Sequence, residues 1–305
     1  MSGRRVLAWV PKGATLTVRE VRGDWVLVDS ARDGATTRGW VQTDFLLSAP
    51  GGEAPPVPGP VETVKMPDPA AFDASKINTV RQKIQESTQV PQNVPNGFSK
   101  SSVDPAIILK SLAPLTVKQG YVLRAYQFAE DGNGNGFVFA MPASSAFPDP
   151  VEAPGDGTHL PRPRKPAGAV DDPMSVIEGD GSAWSYLAAS VLKRELKEFG
   201  AMWHGCDWAM HSVLGADPWR SPAGGDDPLA GPSGDETKWK WFKARPADWR
   251  PTVTVKGDKV VVTFYTFSPI GKETIYQHID EYAPGRCVST TTRTAIAEGP
   301  FGAAF

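Results

Sequence analysis

Ala14-Thr15-Leu16-Thr17-Val18, Trp25-Val26-Leu27-Val28, Arg38-Gly39-Trp40-Val41 and Phe45-Leu46-Leu47 decide how the N-terminal part of this chain folds. The first three are short runs in which apolar and polar residues alternate, and Gly, Asp and Arg turns separate them. Period-2 alternation buries one face of each strand, so the region is expected to form a small β-barrel. Directly beyond it, Ser48-Ala49-Pro50-Gly51-Gly52-Glu53-Ala54-Pro55-Pro56-Val57-Pro58-Gly59-Pro60 can form neither a ladder nor a helix. Its prolines favour extended, semi-rigid spacing, which makes it the clearest domain boundary in the sequence.

The order of these runs (strand, turn, Asp24-Trp25-Val26, turn, Gly39-Trp40-Val41, aromatic-aliphatic close) resembles a bacterial SH3-like module over residues 5–48. The resemblance implies a module attached to something else that binds ligands rather than transforming them. Trp25 and Trp40 would then be core and rim residues, with a partner peptide able to lie across Trp40.

At 305 residues the chain is long enough for two domains. Its 32 Lys and Arg against 34 Asp and Glu give a net charge of −2, so no global field points to nucleic acid or to an anionic membrane. No apolar run approaches the ~20 residues of a spanning helix, and the start of the chain lacks the apolar stretch of a signal peptide. These features predict a cytoplasmic protein without membrane insertion, with export by a signal-less route as the alternative. Two cysteines, Cys206 and Cys287, exclude a disulfide scaffold, and one bridge would need an oxidising compartment.

Asp68-Pro69 reads as an N-cap followed by proline at the first helical position. Ile77, Val80 and Ile84 continue it as a helix over 69–88 with a narrow apolar stripe, suited to lying on a larger domain or to pairing with another copy. Further on, 116–128 and 137–141 read as strands. Trp184, Leu187, Ala188, Val191, Leu192, Leu196 and Phe199 recur at helical spacing behind the caps Asp180-Gly181-Ser182, with Glu195 and Glu198 assigned to the wet side. The C-terminal part is β-rich, and Val253–Val262 around Gly257-Asp258 is a hairpin signal. The fold class expected is an all-β SH3-like barrel followed by a larger α+β domain with an antiparallel C-terminal sheet. The parts are 1–48 barrel, 49–68 linker, 69–98 amphipathic helix and connector, and 99–305 α+β domain.

Three chemistries compete for Trp203-His204-Gly205-Cys206-Asp207-Trp208-Ala209-Met210-His211. In the first, Cys206 starts a short helix whose dipole lowers the thiol pKa, His278 on a later strand is the base, and Asp280 on the same strand face orients it. That layout is similar to the cysteine-histidine cell-wall amidases and peptidases, which frequently carry SH3-like modules. The Asp-Cys-Ser-Gly signature of one branch is missing, and His278 does not follow a glycine. In the second, His204, Cys206 and His211 bind a metal with His278 or Cys287, although the spacing is no standard zinc pattern. In the third, Cys206 is a small buried residue.

Asp131-Gly132-Asn133-Gly134-Asn135-Gly136 matches the first half of a calcium loop. Its twelfth position is Pro142, however, and a hairpin turn explains the same residues. Six of the ten tryptophans lie between 203 and 249. Lys238-Trp239-Lys240-Trp241-Phe242-Lys243 mixes base and aromatic, which suits Trp239 and Trp241 to a glycan or protein ligand, or to a strand with both rings buried. No cofactor is implied. The leading expectation is a modular, non-catalytic binding or scaffold protein. A thiol hydrolase and a structural subunit of a larger particle are the alternatives.

Overall fold

A computed structural model describes residues 17–22, 25–32, 35–42, 69–91, 94–154, 161–220, 231–232 and 235–302. The chain divides into two compact units, Met1–Glu62 and Thr63–Phe305. The division falls just past the Pro/Gly-rich stretch Ser48–Pro60, within residues 49–68.

In the first unit β1 (Thr17–Arg22), β2 (Trp25–Arg32) and β3 (Ala35–Gln42) form an antiparallel meander. Asp29 on β2 is buried between Arg19 and Arg38, and accepts from their Nε atoms at 2.7 and 2.6 Å. The two guanidiniums hold its carboxyl well below the usual range. Phe45–Leu47 and the linker lie outside the described residues, as do the side chains of Trp25 and Trp40. Among the described residues no sheet closes into a barrel.

The second unit is mostly β. It runs β4 (Ala70–Ala71), α1 (Ala74–Ser87), β5 (Gly97–Lys100), β6 (Thr116–Val117), β7 (Tyr121–Glu130), β8 (Asn133–Pro142), β9 (Ile177–Glu178) and α2 (Ala183–Lys197). It continues with β10 (Ser212–Leu214), β11 (Lys240–Trp241), β12 (Thr252–Lys256), β13 (Lys259–Ser268), β14 (Lys272–Tyr282) and β15 (Ser289–Phe301). The main antiparallel sheet has the order β11-β15-β14-β13-β12-β4, and β10 pairs with β13 beyond the end of β12. A second antiparallel sheet, β5-β7-β8, packs its buried Leu123, Ala125 and Ala140 into the same core.

α1 starts at Asp73, which accepts from Ser75 N–H at 2.9 Å, and not at Asp68-Pro69. The reason is that Ala70-Ala71 is committed to a strand against Thr252 and Val253. The helix lies on the larger unit, burying Ala74, Ile77, Arg81 and Ile84. Residues 69–98 therefore belong to this unit and form no separate connector. Asn78 ties the helix to β10: its Nδ2 donates to the Val213 carbonyl and its Oδ1 accepts from the Val213 N–H, both at 2.9 Å.

The calcium-loop expectation gives way to the hairpin. Asp131 and Gly132 take the left-handed φ values of 49° and 83° that a two-residue turn between paired Glu130 and Asn133 requires. Asn133 and Asn135 stand in strand β8, and the Asp131 carboxylate accepts from Asn96 at 3.0 Å. Close approach dictates Gly136, because a Cβ there would stand 2.1 Å from the Phe199 carbonyl oxygen.

Candidate functional site

The sheet, α1 and α2 converge on a buried polar chain. Period-2 alternation points Thr266 on β13 and His278 and Asp280 on β14 to the side covered by α2, and none is more than 1% exposed. His211 ends the 3₁₀ turn Trp208–Met210 just before β10, and it too is buried. Thr266 Oγ1 stands 2.8 Å from His278 Nε2 and 2.8 Å from His211 Nδ1. His211 Nε2 lies 3.2 Å from Asp207 Oδ1, and Arg293 reaches the other oxygen of Asp207 at 2.7 Å.

Proton positions follow from the far end of the chain. Arg194 Nη2, which can only donate, faces His278 Nδ1 at 3.4 Å, so Nδ1 carries no proton. His278 Nε2–H then donates to Thr266 and the Thr266 hydroxyl donates to His211 Nδ1. His211 Nε2 faces both Arg293 Nη2 at 3.4 Å and the nearer Asp207 carboxylate at 3.2 Å; with Nδ1 accepting from Thr266, the proton of the neutral ring sits on Nε2 and is donated to Asp207. Both imidazoles are neutral. Burial first, joined by the positive charges of Arg194, Arg293 and Arg81, pushes His278 down to about 2. Burial likewise lowers His211 against the pull of Asp207. His211 chiefly, then Arg293, holds the Asp207 carboxyl below its usual range.

Two ion pairs frame the chain. Arg194 donates to both oxygens of the fully buried Asp280, at 2.6 and 2.9 Å. Arg81 pairs with Glu195 at 3.1 Å, donates to the carbonyls of Trp208 and His211, and lies 3.9 Å from the Trp208 ring centre. Trp208 Nε1 also donates to Glu195, at 2.9 Å. Glu198 accepts from the N–H groups of Asp207, Trp208 and Ala209, fixing the turn that carries the site. Glu195 and Glu198 are thus turned inward and not to the wet side. Burial raises both carboxyls, opposed by Arg81 and by the backbone donors respectively.

The residues foreseen from the sequence are only partly united. His278 and Asp280 share a face, as expected, but Arg194 stands between them. Cys206 does not begin a helix: it ends the three-residue 3₁₀ turn Trp203–Gly205, where no N-terminal dipole reaches it. Burial, with the nearby charge of Glu198, pushes its thiol up. Cys206 and Cys287 are both free thiols. Among the described residues no three His, Cys, Asp or Glu side chains gather as a metal site. The side chain of His204 lies outside the described residues.

Trp239 is packed inside, with its ring where a Cβ on Gly299 would fall, so it offers no ligand platform. Trp241 is half-buried against Trp249, and Arg245 stacks on Trp219 and Trp241 while pairing with Asp217 and Glu236. Reading the sequence missed Arg81, Arg194, Thr266 and the partners of His211. Arg81 carried a signal, since it interrupts the apolar stripe between Ile77 and Ile84.

No protein-family model matches the chain, and no curated protein or solved structure is significantly similar to it. Among the described residues no helix is long and apolar enough to cross a membrane.

Proposed function

We propose that the chain is a modular, non-catalytic binding or scaffold protein. In this reading an SH3-like module over residues 5–48 is tethered by the Pro/Gly-rich stretch to a larger β-rich binding unit with a glycan or protein ligand. The observation that carries it is the occupancy of His278. Thr266 holds one ring nitrogen and Arg194 faces the other, so no nitrogen is left to act as base toward the Cys206 thiol. Thr266 and His211 resemble a nucleophile and its base in distance alone, because Thr266 is closed off from solvent and cannot meet a substrate. The fold by itself carries no function.

The test is the alkylation rate of Cys206 against pH in the native protein and in His278→Ala. The reading expects slow labelling with a midpoint at or above the ~8.5 of an ordinary thiol, unchanged in the variant. Fast labelling at neutral pH that His278→Ala abolishes would instead establish an activated thiolate and a thiol hydrolase.

A further inference from the structure

A groove of about 990 Å³ in the second unit runs between α1 and the segment from Ala209 to Pro218, beside the buried histidines. That volume is at the upper end of the roughly 300–1,000 Å³ usual for ligand clefts. Its helix wall is a stripe of uncharged polar residues at i, i+3, i+7 and i+10: Ser75, Asn78, Gln82 and Gln85. They lie beside the apolar stripe that seats the helix, so the same turns that anchor α1 aim amides into the groove.

The hydrogen-bond inventory of the walls is specific. Gln82 Nε2 donates to Glu86 and Gln85 Nε2 to the Ala209 carbonyl, which leaves the two Oε1 atoms as acceptors on the helix side. Across the groove Ser212 brings a hydroxyl. At the rim Arg250 donates to Asp248 through Nε and Nη2, leaving Nη1. Phe72, half-buried against Trp184, adds an apolar face.

The charges decide what fits. Arg81 is neutralised by Glu195 and Arg250 by Asp248, while Asp73 is a helix cap, so the groove has no surplus cation for a phosphate or polyanion. An extended peptide adding to β10 is also disfavoured, because Asn78 already holds both outward backbone groups of Val213. A ligand whose groups each donate and accept, without net charge, satisfies both walls.

We infer that the groove between α1 and β10 is a binding site for a neutral oligosaccharide, read by Gln82 and Gln85 on one wall and Ser212 and Arg250 on the other. The inference rests on the binding-protein reading above and gives it a site and a ligand class.

The full chain is titrated with maltotriose, cellotriose and tri-N-acetylchitotriose by calorimetry and saturation-transfer NMR. A trigalacturonate and an extended hexapeptide serve as controls. At least one neutral trisaccharide is expected to bind with a Kd of about 10 mM or tighter, weakened about tenfold or more in Gln82→Ala/Gln85→Ala. Ala216→Trp, at an exposed position lining the groove, is expected to abolish binding, and Lys256→Ala, exposed and outside the lining, to leave it unchanged. Circular dichroism confirms that each variant is folded. Three results overturn the inference: no neutral trisaccharide binding, binding indifferent to both groove variants, or tighter binding of the acidic sugar or the peptide. None of these bears on Cys206, so the non-catalytic reading stands or falls separately by its alkylation profile.

Discussion

Acidification from pH 7 to pH 5 should weaken the second unit through its two buried imidazoles. In the fold both are neutral and their pKa values are lowered, His278 to about 2. In the unfolded chain they titrate near 6.5. Below that value the unfolded state binds more protons than the folded one, so stability is full above about 6.5 and falls as pH drops. His278, protonated only on unfolding across this range, takes away about 2 kcal/mol between pH 7 and 5, and His211, lowered in the same direction, adds to the loss. Glu195 and Glu198, raised by burial, oppose the loss as pH nears their folded values, because there the folded state takes up protons first. Asp207, held low, adds its own loss only below the ordinary carboxylate range. The assay is urea unfolding at pH 7, 6 and 5 followed by tryptophan emission, since Trp208 packs on both His211 and His278. His278→Gln is the control: less stable at pH 7, it should lose about 2 kcal/mol less than the native protein between pH 7 and 5. Equal pH slopes in the two proteins would refute the neutral, buried assignment of His278.

Other expectations follow from the same contacts. Arg194→Met leaves the Asp280 carboxylate buried without its partner and should cost about 3–5 kcal/mol, whereas Arg194→Met/Asp280→Leu should recover much of it; chemical denaturation of both variants checks this. Gly136→Ala drives a methyl into the Phe199 carbonyl and should cost about 1–3 kcal/mol, read as a lowered Tm. Trp239→Ala should cost about 3–5 kcal/mol in denaturation, as truncation of a core ring does, where a surface ring would cost little. Cys287, buried with its thiol pushed up to about 11, should resist alkylation at pH 8 until denaturant unfolds the protein.

The parts of the fold legible in the sequence are those specified by neighbours along the chain. Gly257-Asp258 between alternating valines gave the β12–β13 hairpin, and Ser182 caps α2 as its position before the apolar periodicity suggests. Asp73 was passed over because a proline at 69 is as good a local start signal as an aspartate at 73. Only the pairing of Ala70-Ala71 with β12, some 180 residues away, separates them. Glu195 was assigned to water because nothing near it in sequence announces Arg81, 114 positions earlier. Cys206 illustrates the same limit: the preceding glycine suggested a helix start, yet the chain spends that glycine closing a turn packed on Gly134. Candidate chemistry depended on which groups meet, and those meetings are long-range.

Asn78 has a consequence for how the molecule behaves among its own copies. Its carboxamide presents a donor and an acceptor to Val213 just as a neighbouring peptide unit would, so a helix side chain takes the place of a further strand. Sheet margins with free amides and carbonyls invite edge-to-edge association, and proteins avoid it by covering them. Here the cover comes from α1, which precedes β10 by more than a hundred residues, so it depends on a long-range contact. Conditions that loosen α1 would expose a sticky edge before the core unfolds, and self-association would precede denaturation.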